Sequence, residues 1–418
     1  MAVKPGYKQT EVGVIPEEWE VKPFGALFAF RNGVNADKNS YGQGVRFINV
    51  LEPITYSHIH GPEIQGQVTL PESVSVPYEV KLGDVLFNRT SETQEEVGLA
   101  ATYLGVERVV FGGFVIRGRP TDGNFDPVYS GYALRAPCIR SQIIPMGQGA
   151  IRANIGQSNL SLVVAAVPPL LEQRAIATAL SDMDALLGAL ERLIVKKRDL
   201  KQAAMQQLLT GQIRLPGFHG EWGVRRLGSI ADVIDPHPSH RAPDEVTNGI
   251  PFVGIGDLDE NGNIVGKRVR LVSPLVLEEH ALRYDLKDEL IGLGRVASIG
   301  KVVSLKNFSD GYAISPTLGV IRGRVVKRGY LLYALKSRFV TEQFTKIMSG
   351  STRSSVGMEV LRELDIMLPP TEQEQNAIAA MLADMDTELA TLEQRLVKTR
   401  ALKQGMMQEL LSGRTRLL

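Results

Sequence analysis

Cysteine is almost absent: Cys138 is the only one in 418 residues. That excludes an internal disulfide framework and any cysteine-based metal cluster, and it suits a reducing cytoplasm. Long apolar runs are missing too. The longest, around Leu160 to Leu171, is short and interrupted by Pro168 and Pro169, so it cannot span a bilayer. The opening MAVKPGYKQTEVG has no apolar segment of the kind a secretory signal carries. No Gly-x₄-Gly-Lys-Ser/Thr cradle occurs, so ATP hydrolysis is not expected of this chain. Net charge is nearly absent as well, with 47 Lys and Arg against 46 Asp and Glu. A nucleic-acid partner would then need basic groups gathered on one surface, or phosphate contacts supplied by other subunits. The length favours two to four domains.

What is present is written twice. The segment DMDALLGALERLIVKKRDLKQAAMQQLLTGQIRL begins at Asp182, and DMDTELATLEQRLVKTRALKQGMMQELLSGRTRL begins at Asp384, 202 residues later. About twenty of the 34 positions are identical, without a gap. Weaker echoes surround this core. Glu18-Trp19 with Val21-Lys22 recurs as Glu221-Trp222 with Val224-Arg225, and these are the chain's two tryptophans. VIRGR occurs at 115–119 and 320–324. Tyr129 and Tyr132-Ala133-Leu134 recur as Tyr330 and Tyr333-Ala334-Leu335, and Pro168-Pro169 as Pro369-Pro370. Gly149, Arg152 and Gly156 recur as Gly350, Arg353 and Gly357. Such a repeat fixes the architecture: two halves on one scaffold. Roughly residues 30–100 and 235–300 share little beyond pattern, as expected of a duplicated binder that reads two different things.

Each half opens with short apolar runs broken by Gly, Asn, Asp and Pro, the texture of strands and turns. Each then closes with a long helical pattern. Ile176, Leu180, Met183, Leu187, Leu190 and Ile194 alternate at spacings of four and three, and Ile378, Leu382, Met385, Leu389, Leu392 and Leu396 repeat the pattern. That is a heptad seam. The double prolines set the helix entries, and Gly211 and Gly413 stand where each helix should stop. The expected fold is α+β: two pseudo-symmetric α/β domains joined by two long helices packed as an antiparallel coiled coil. The expected bounds are 1–166 and 214–367 for the domains, and 167–213 and 368–418 for the helices.

This layout resembles the specificity (S) subunits of type I restriction–modification systems. The resemblance rests on PP-x₂₋₃-EQ-x-AIA-x₂-L opening the helices, Leu-Lys-Gln…Met-Gln-x-Leu-Leu-x-Gly closing them, and Gly6-Tyr7-Lys8, Gly13-Val14-Ile15-Pro16 and Trp19 at the start. It covers essentially the whole chain. It implies that each variable region is a target recognition domain reading one half of a split double-stranded DNA sequence. It implies two methyltransferase (M) partners, restriction (R) partners through the complex, no membrane, and a cytoplasmic setting. The chain itself is then not a catalyst; S-adenosylmethionine, ATP and Mg would be used by the partners. About 35 helical residues span roughly 50 Å, and one turn of B-DNA is about 34–36 Å, so such a spacer fits two major-groove contacts about one turn apart.

Base reading favours Arg and Lys for guanine, Asn and Gln for adenine. In the first half the candidates are Asn88, Arg89, Thr90, Ser91, Thr93 and Gln94 after the run DVLF, and Arg31, Asn32, Asn35 and Lys38. In the second half they are His237, Ser239, His240 and Arg241, with Arg295, Ser298 and Lys301 in a place like that of Arg89. Arg152 and Arg353 match between halves, which favours phosphate contact or scaffold over sequence reading. For any one residue the bland alternative is a solvated loop or a satisfied turn. Lys196-Lys197-Arg198 reads first as a solvated face.

Enzyme readings are weaker. Phe252-Val-Gly254-Ile-Gly256 matches a segment that holds S-adenosylmethionine in methyltransferases. The double prolines, however, lack the Asn or Asp that an amine methylase needs, and Phe252–Gly256 is expected to be a buried strand and turn. Pro243-Asp244 with Asp285-x-Lys287 is a loose nuclease pattern found in one half only. His237 and His240 lack a third obvious metal ligand. A coiled-coil spacer carrying two protein-binding domains would also explain the repeat.

Overall fold

The computed structural model describes residues 4–417, except 124, 150–151, 238, 240, 267, 307–310 and 350–354. The chain divides into two units, one of residues 1–191 with 395–418 and the other of residues 192–394. Each unit therefore holds one β-rich domain, part of the helix that follows it, and part of the other long helix.

In the first unit a five-stranded sheet runs in the order Phe28–Asn32, Val115–Pro120, Val85–Asn88, Ala100–Tyr103, His58–Ile59. A four-stranded sheet runs Gln67–Val68, Tyr41–Ile48, Val109–Phe111, Glu79–Val80. The second unit repeats this plan with fewer strands. Ala231–Ile234, Leu318–Gly323, Ile291–Gly294 and Val302–Ser304 form one sheet, and Arg270–Val272, Ile250–Val253 and Ala313–Ile314 the other. Near its long helix each unit has a further antiparallel pair, Glu20–Pro23 with Val164–Val167 and Gly223–Arg226 with Asp365–Leu368.

The ladders correct one part of the repeat. Phe28 pairs with Pro120, and its counterpart Ala231 pairs with Gly323. Both offsets are 203, so Arg119 matches Arg322. The VIRGR identity, at an offset of 205, is two residues out of structural register. A slip of two keeps each side chain on the same face of its strand, so the apolar pattern is the same in either register.

The long helices span Leu170–Leu208 and Glu372–Leu410, 39 residues each, or about 58 Å. None of the described helices is long and apolar enough to cross a membrane. In each unit the two helix segments run antiparallel. Lys403 pairs with Asp184 and Arg400 with Glu191 in the first. Lys201 pairs with Asp386 and Arg198 with Glu393 in the second. Lys197 also bonds Glu388, so two of the three cations in the Lys196–Arg198 run are engaged by the opposite helix.

The seam residues are all buried or half-buried, but its first two do more than pair helices. Ile176 and Leu180 enter the core of the first domain beside Trp19, Phe24 and Phe28, together with Leu410 and Leu411 from the other helix's end. Ile378 and Leu382 enter the second core together with Leu208 and Leu209. Each domain is thus closed by the start of one long helix and the end of the other. Gly211 and Gly413 stop those helices with φ near +70°. A Cβ on Gly413 would sit 2.5 Å from Pro16 and 3.2 Å from Trp19, and one on Gly211 would sit 3.1 Å from Trp222. The helix stop and the tryptophan contact therefore require the same residue.

Candidate nucleic-acid interface

The Glu-Gln pair after each double proline anchors its domain, a role sequence reasoning missed. Glu172 is fully buried; it accepts from the Trp19 indole N–H at 2.9 Å and from Arg416 at 2.6 and 2.9 Å. Gln173 donates to the Pro168 carbonyl at 2.9 Å and accepts from the Asp126 N–H at 2.8 Å. In the second unit Glu374, also fully buried, takes Arg214 at 2.5 and 2.6 Å. The repeated Glu-Gln and terminal Arg-Leu carried the signal; only the fold shows that they meet.

On this base each domain presents a matched arginine. The Arg89 N–H donates to the Phe114 carbonyl, and its own carbonyl accepts from Ile155. Arg295 does the same with Thr317 and Val356. The expected likeness of these two places is thus a likeness of backbone bonding. Beyond the two arginines the chain paths diverge. The first unit carries a loop through Thr93 and Gln94 before Gly98; the second makes a short turn at Val296–Gly300.

Several candidates are exposed: Arg31, Asn32, Asn35, Lys38, Thr93, Gln94, Arg152, Ser239 and Arg241. Arg31 and Asn32 lie on a strand rather than in a loop, and Arg31 stacks 5.7 Å from the Tyr78 ring centre. Thr93 and Arg152 line one cleft of about 490 Å³ with Thr90, Ser91, Glu92 and Phe114. Arg152 reaches Glu92 at 3.7 Å, and Thr90 bonds Asn154.

Others are inside, and here the sequence expectation is corrected. Asn88 is fully buried on its strand and donates to the Glu96 carbonyl. Ser91 is buried and bonds the Glu96 carboxylate at 2.7 Å. His237 is buried and bonded on both ring nitrogens, to His280 and to the Arg241 carbonyl. Half-buried Lys301 donates to the Ile255 and Leu258 carbonyls, and Arg295, only 13% exposed, is held by Val356 and Asp235. Half-buried Ser298 sits within its turn. These groups brace the loops, because a strand-end polar residue is as useful for closing a turn as for meeting a ligand. His240 and Arg353 lie outside the described residues.

The segment with the methyltransferase-like glycines is a buried strand and turn. Phe252 and Val253 are buried, and the Gly254 N–H donates to Asp257 at 2.7 Å. Asp285 accepts from the Lys287 N–H two residues on, an Asx turn that accounts for both residues of that motif.

Comparison with known proteins agrees with this architecture. Residues 219–399 match the model of the type I restriction modification DNA specificity domain. The chain is 25% identical, over 98% of its own length and 96% of the relative's, to the putative type I restriction enzyme MjaX specificity subunit of Methanocaldococcus jannaschii. The matched segment is thus a type I restriction modification DNA specificity domain, and the chain as a whole is similar to type I specificity subunits. It is also 21% identical to the StySPI specificity subunit of Salmonella potsdam, over 96% and 90% of the two chains. Its fold resembles that of a type I restriction-modification S subunit from M. genitalium, with a TM-score of 0.56, 14% identity and 98% of each chain covered. It also resembles the HsdS subunit from Thermoanaerobacter tengcongensis, with a TM-score of 0.52, 18% identity and 96% and 98% covered. The family recognises DNA targets and is not a catalytic one.

Proposed function

We propose that this specificity subunit reads a split, asymmetric DNA target, one block through each unit, and brings two methyltransferase subunits, and through them the restriction subunits, to that site. The observation that carries the reading is the pair Arg89 and Arg295. The same backbone bonds hold them, yet different loops come after. A duplicated scaffold with unlike loops is what two unlike half-sites require. S-adenosylmethionine, ATP and Mg then belong to the partners, and the complex works in the cytoplasm.

The test is genome-wide adenine-N6 methylation in cells carrying the gene with its methyltransferase partner, compared with deletion of this gene alone. Loss of one motif, made of two short blocks around a fixed spacer, is the expected result. Survival of every motif would sink the reading and favour a spacer with two protein-binding domains. Replacing residues 1–165 by those of another family member is expected to change one block only.

A further inference from the structure

The second unit carries a cleft of about 420 Å³ walled by Arg283, Arg322, Arg324 and Arg362, with Asp232 the one acid among its lining residues. The four arginines come from three separate stretches of sequence, so no motif announces them. The cleft runs along the edge strand Ala231–Ile234. Arg362 caps the Val233 carbonyl at 3.1 Å, and Arg283 reaches the Asp235 carbonyl at 3.3 Å.

One of the four belongs to the shared scaffold. Arg322 bonds Asp288 at 3.2 Å. Its ladder match in the first unit, Arg119, bonds Asp84 at 2.6 Å. There Arg117 and Arg31 stand beside Arg119, whereas three other positions of the second unit's cleft differ from their matches. Asp232 matches Ala29 in the same ladders. Arg324 matches Thr121, since their N–H groups donate to Ile230 and Leu27. Arg362 matches Ser161, since each lies over the equivalent glycine, Gly228 or Gly25. A fold that closes with Thr121 and Ser161 in one unit does not need Arg324 and Arg362 for closure in the other.

The charges also fail to cancel. Arg322 and Arg324 share Asp232, at 3.0 and 3.2 Å. Arg362 bonds Glu359, which is 86% exposed. With Asp288 included, three carboxylates face four guanidinium groups. Each guanidinium has five N–H donors in a planar fork, the geometry that suits a phosphate. A chain with a net charge of +1 must gather its phosphate contacts locally if it makes them.

We propose that this cleft in the second unit is a clamp for a DNA backbone phosphate, which seats Ser239 and Arg241 on the base edges. The inference rests on the DNA-reading role given above. Arg283 ties the two features together, because its bond to the Asp235 carbonyl holds the first residue of the loop that presents Ser239 and Arg241. A phosphate in the cleft positions that loop without itself carrying sequence information.

The test uses the full chain assembled with its methyltransferase partner and a duplex carrying the methylated motif. Binding is measured from roughly 50 to 300 mM KCl for the wild type, Arg283→Gln, Arg324→Gln and the double variant. The slope of log K against log salt is expected to shrink by about one for each guanidinium removed; Arg324→Gln should weaken all duplexes alike with the methylated motif unchanged, while Arg283→Gln should also relax discrimination in one block. Arg324→Lys, which keeps the charge, should retain most of the slope. An unchanged slope in variants that unfold at the wild-type temperature would overturn the clamp. So would loss of methyltransferase assembly with DNA binding intact, since the cleft would then be a protein contact. If the wild-type complex bound no split duplex, the DNA-reading role itself would fall, and the clamp with it.

Discussion

Arg416 grips the buried carboxylate of Glu172 with two hydrogen bonds, of 2.6 and 2.9 Å, across 244 residues of sequence. The same carboxylate accepts the Trp19 indole N–H, so the chain's end, a helix start and the first domain's core meet at one charge. Breaking a buried ion pair by removing one partner strands the other charge, at about 3–5 kcal/mol. Arg416 keeps some exposure, so Arg416→Ala is expected to lower the stability of the first unit by about 2–4 kcal/mol. Chemical denaturation followed by tryptophan fluorescence checks this. Arg416→Lys should recover only part of the loss, since one ammonium cannot fork onto both oxygens.

The repeat made this pairing legible in outline. The positions 172 and 374, and 214 and 416, each stand 202 apart, and the heptad seam, the helix stops and the two-domain plan could all be read from the chain. The partners could not. A pattern shows that Glu172 is repeated, but a contact across 244 residues needs the fold. The loop candidates went astray for a related reason. Asn88 and Ser91 end strands and His237 lies three residues past one, where closing a turn and meeting a ligand call for the same side chains. The arginine cleft was invisible because its members come from three separate stretches of the chain, and because the two copies of VIRGR, matched in sequence, are out of structural register.

Buried His280 makes the second unit acid-sensitive. The Arg241 carbonyl can only accept, so a neutral His237 must donate to it through Nε2 and accept at Nδ1. His280 then donates to His237 through Nε2 at 2.9 Å and accepts at Nδ1 from the Tyr284 hydroxyl at 2.9 Å. A proton added to His280 would sit on Nδ1, where the Tyr284 hydroxyl now donates. Burial, then the neighbouring His237 and Arg283, push His280 down to about 4. Arg283 and Asp235 are the nearby charged groups, and Asp235 is engaged by Arg295. In the unfolded chain histidine titrates near 6.5, so between those values the unfolded state binds more protons. Stability is therefore full above about pH 6.5 and is lost as pH falls towards 4, by on the order of 2–3 kcal/mol. Thermal unfolding across this range should show the loss, and His280→Gln should flatten it.

Ala297 has φ of 61°, the one non-glycine with positive φ among the described residues. It sits in the turn that carries Ser298 and comes just after Arg295. An alanine in this region is strained by about 1 kcal/mol, and such strain persists where the surroundings enforce it. Ala297→Gly is expected to raise the unfolding free energy by about 0.5–1 kcal/mol. Thermal unfolding of the two proteins under identical conditions decides it. An unchanged or lower stability would mean that the glycine's extra freedom in the unfolded chain outweighs the strain it relieves.

A spacer made of helix has a length set by residue count. Four residues inserted after Glu191, with four more after Gln394, extend both long helices by about 6 Å at 1.5 Å per residue. Matched insertions leave Lys403–Asp184 in the first unit and Lys201–Asp386 in the second untouched, because each pair lies wholly to one side of both insertion points. Neither domain core gains or loses a residue. The methylated motif of this variant is therefore expected to keep both of its blocks and to lengthen only the unspecified stretch, by about two base pairs at 3.4 Å each. Methylation sequencing reads this directly. A change in either block would contradict the division of labour between helices and domains, since altering the spacer should not change which bases the loops meet. Loss of all methylation with the protein still folded would show that the partners, as well as the DNA, measure the length of this helix pair.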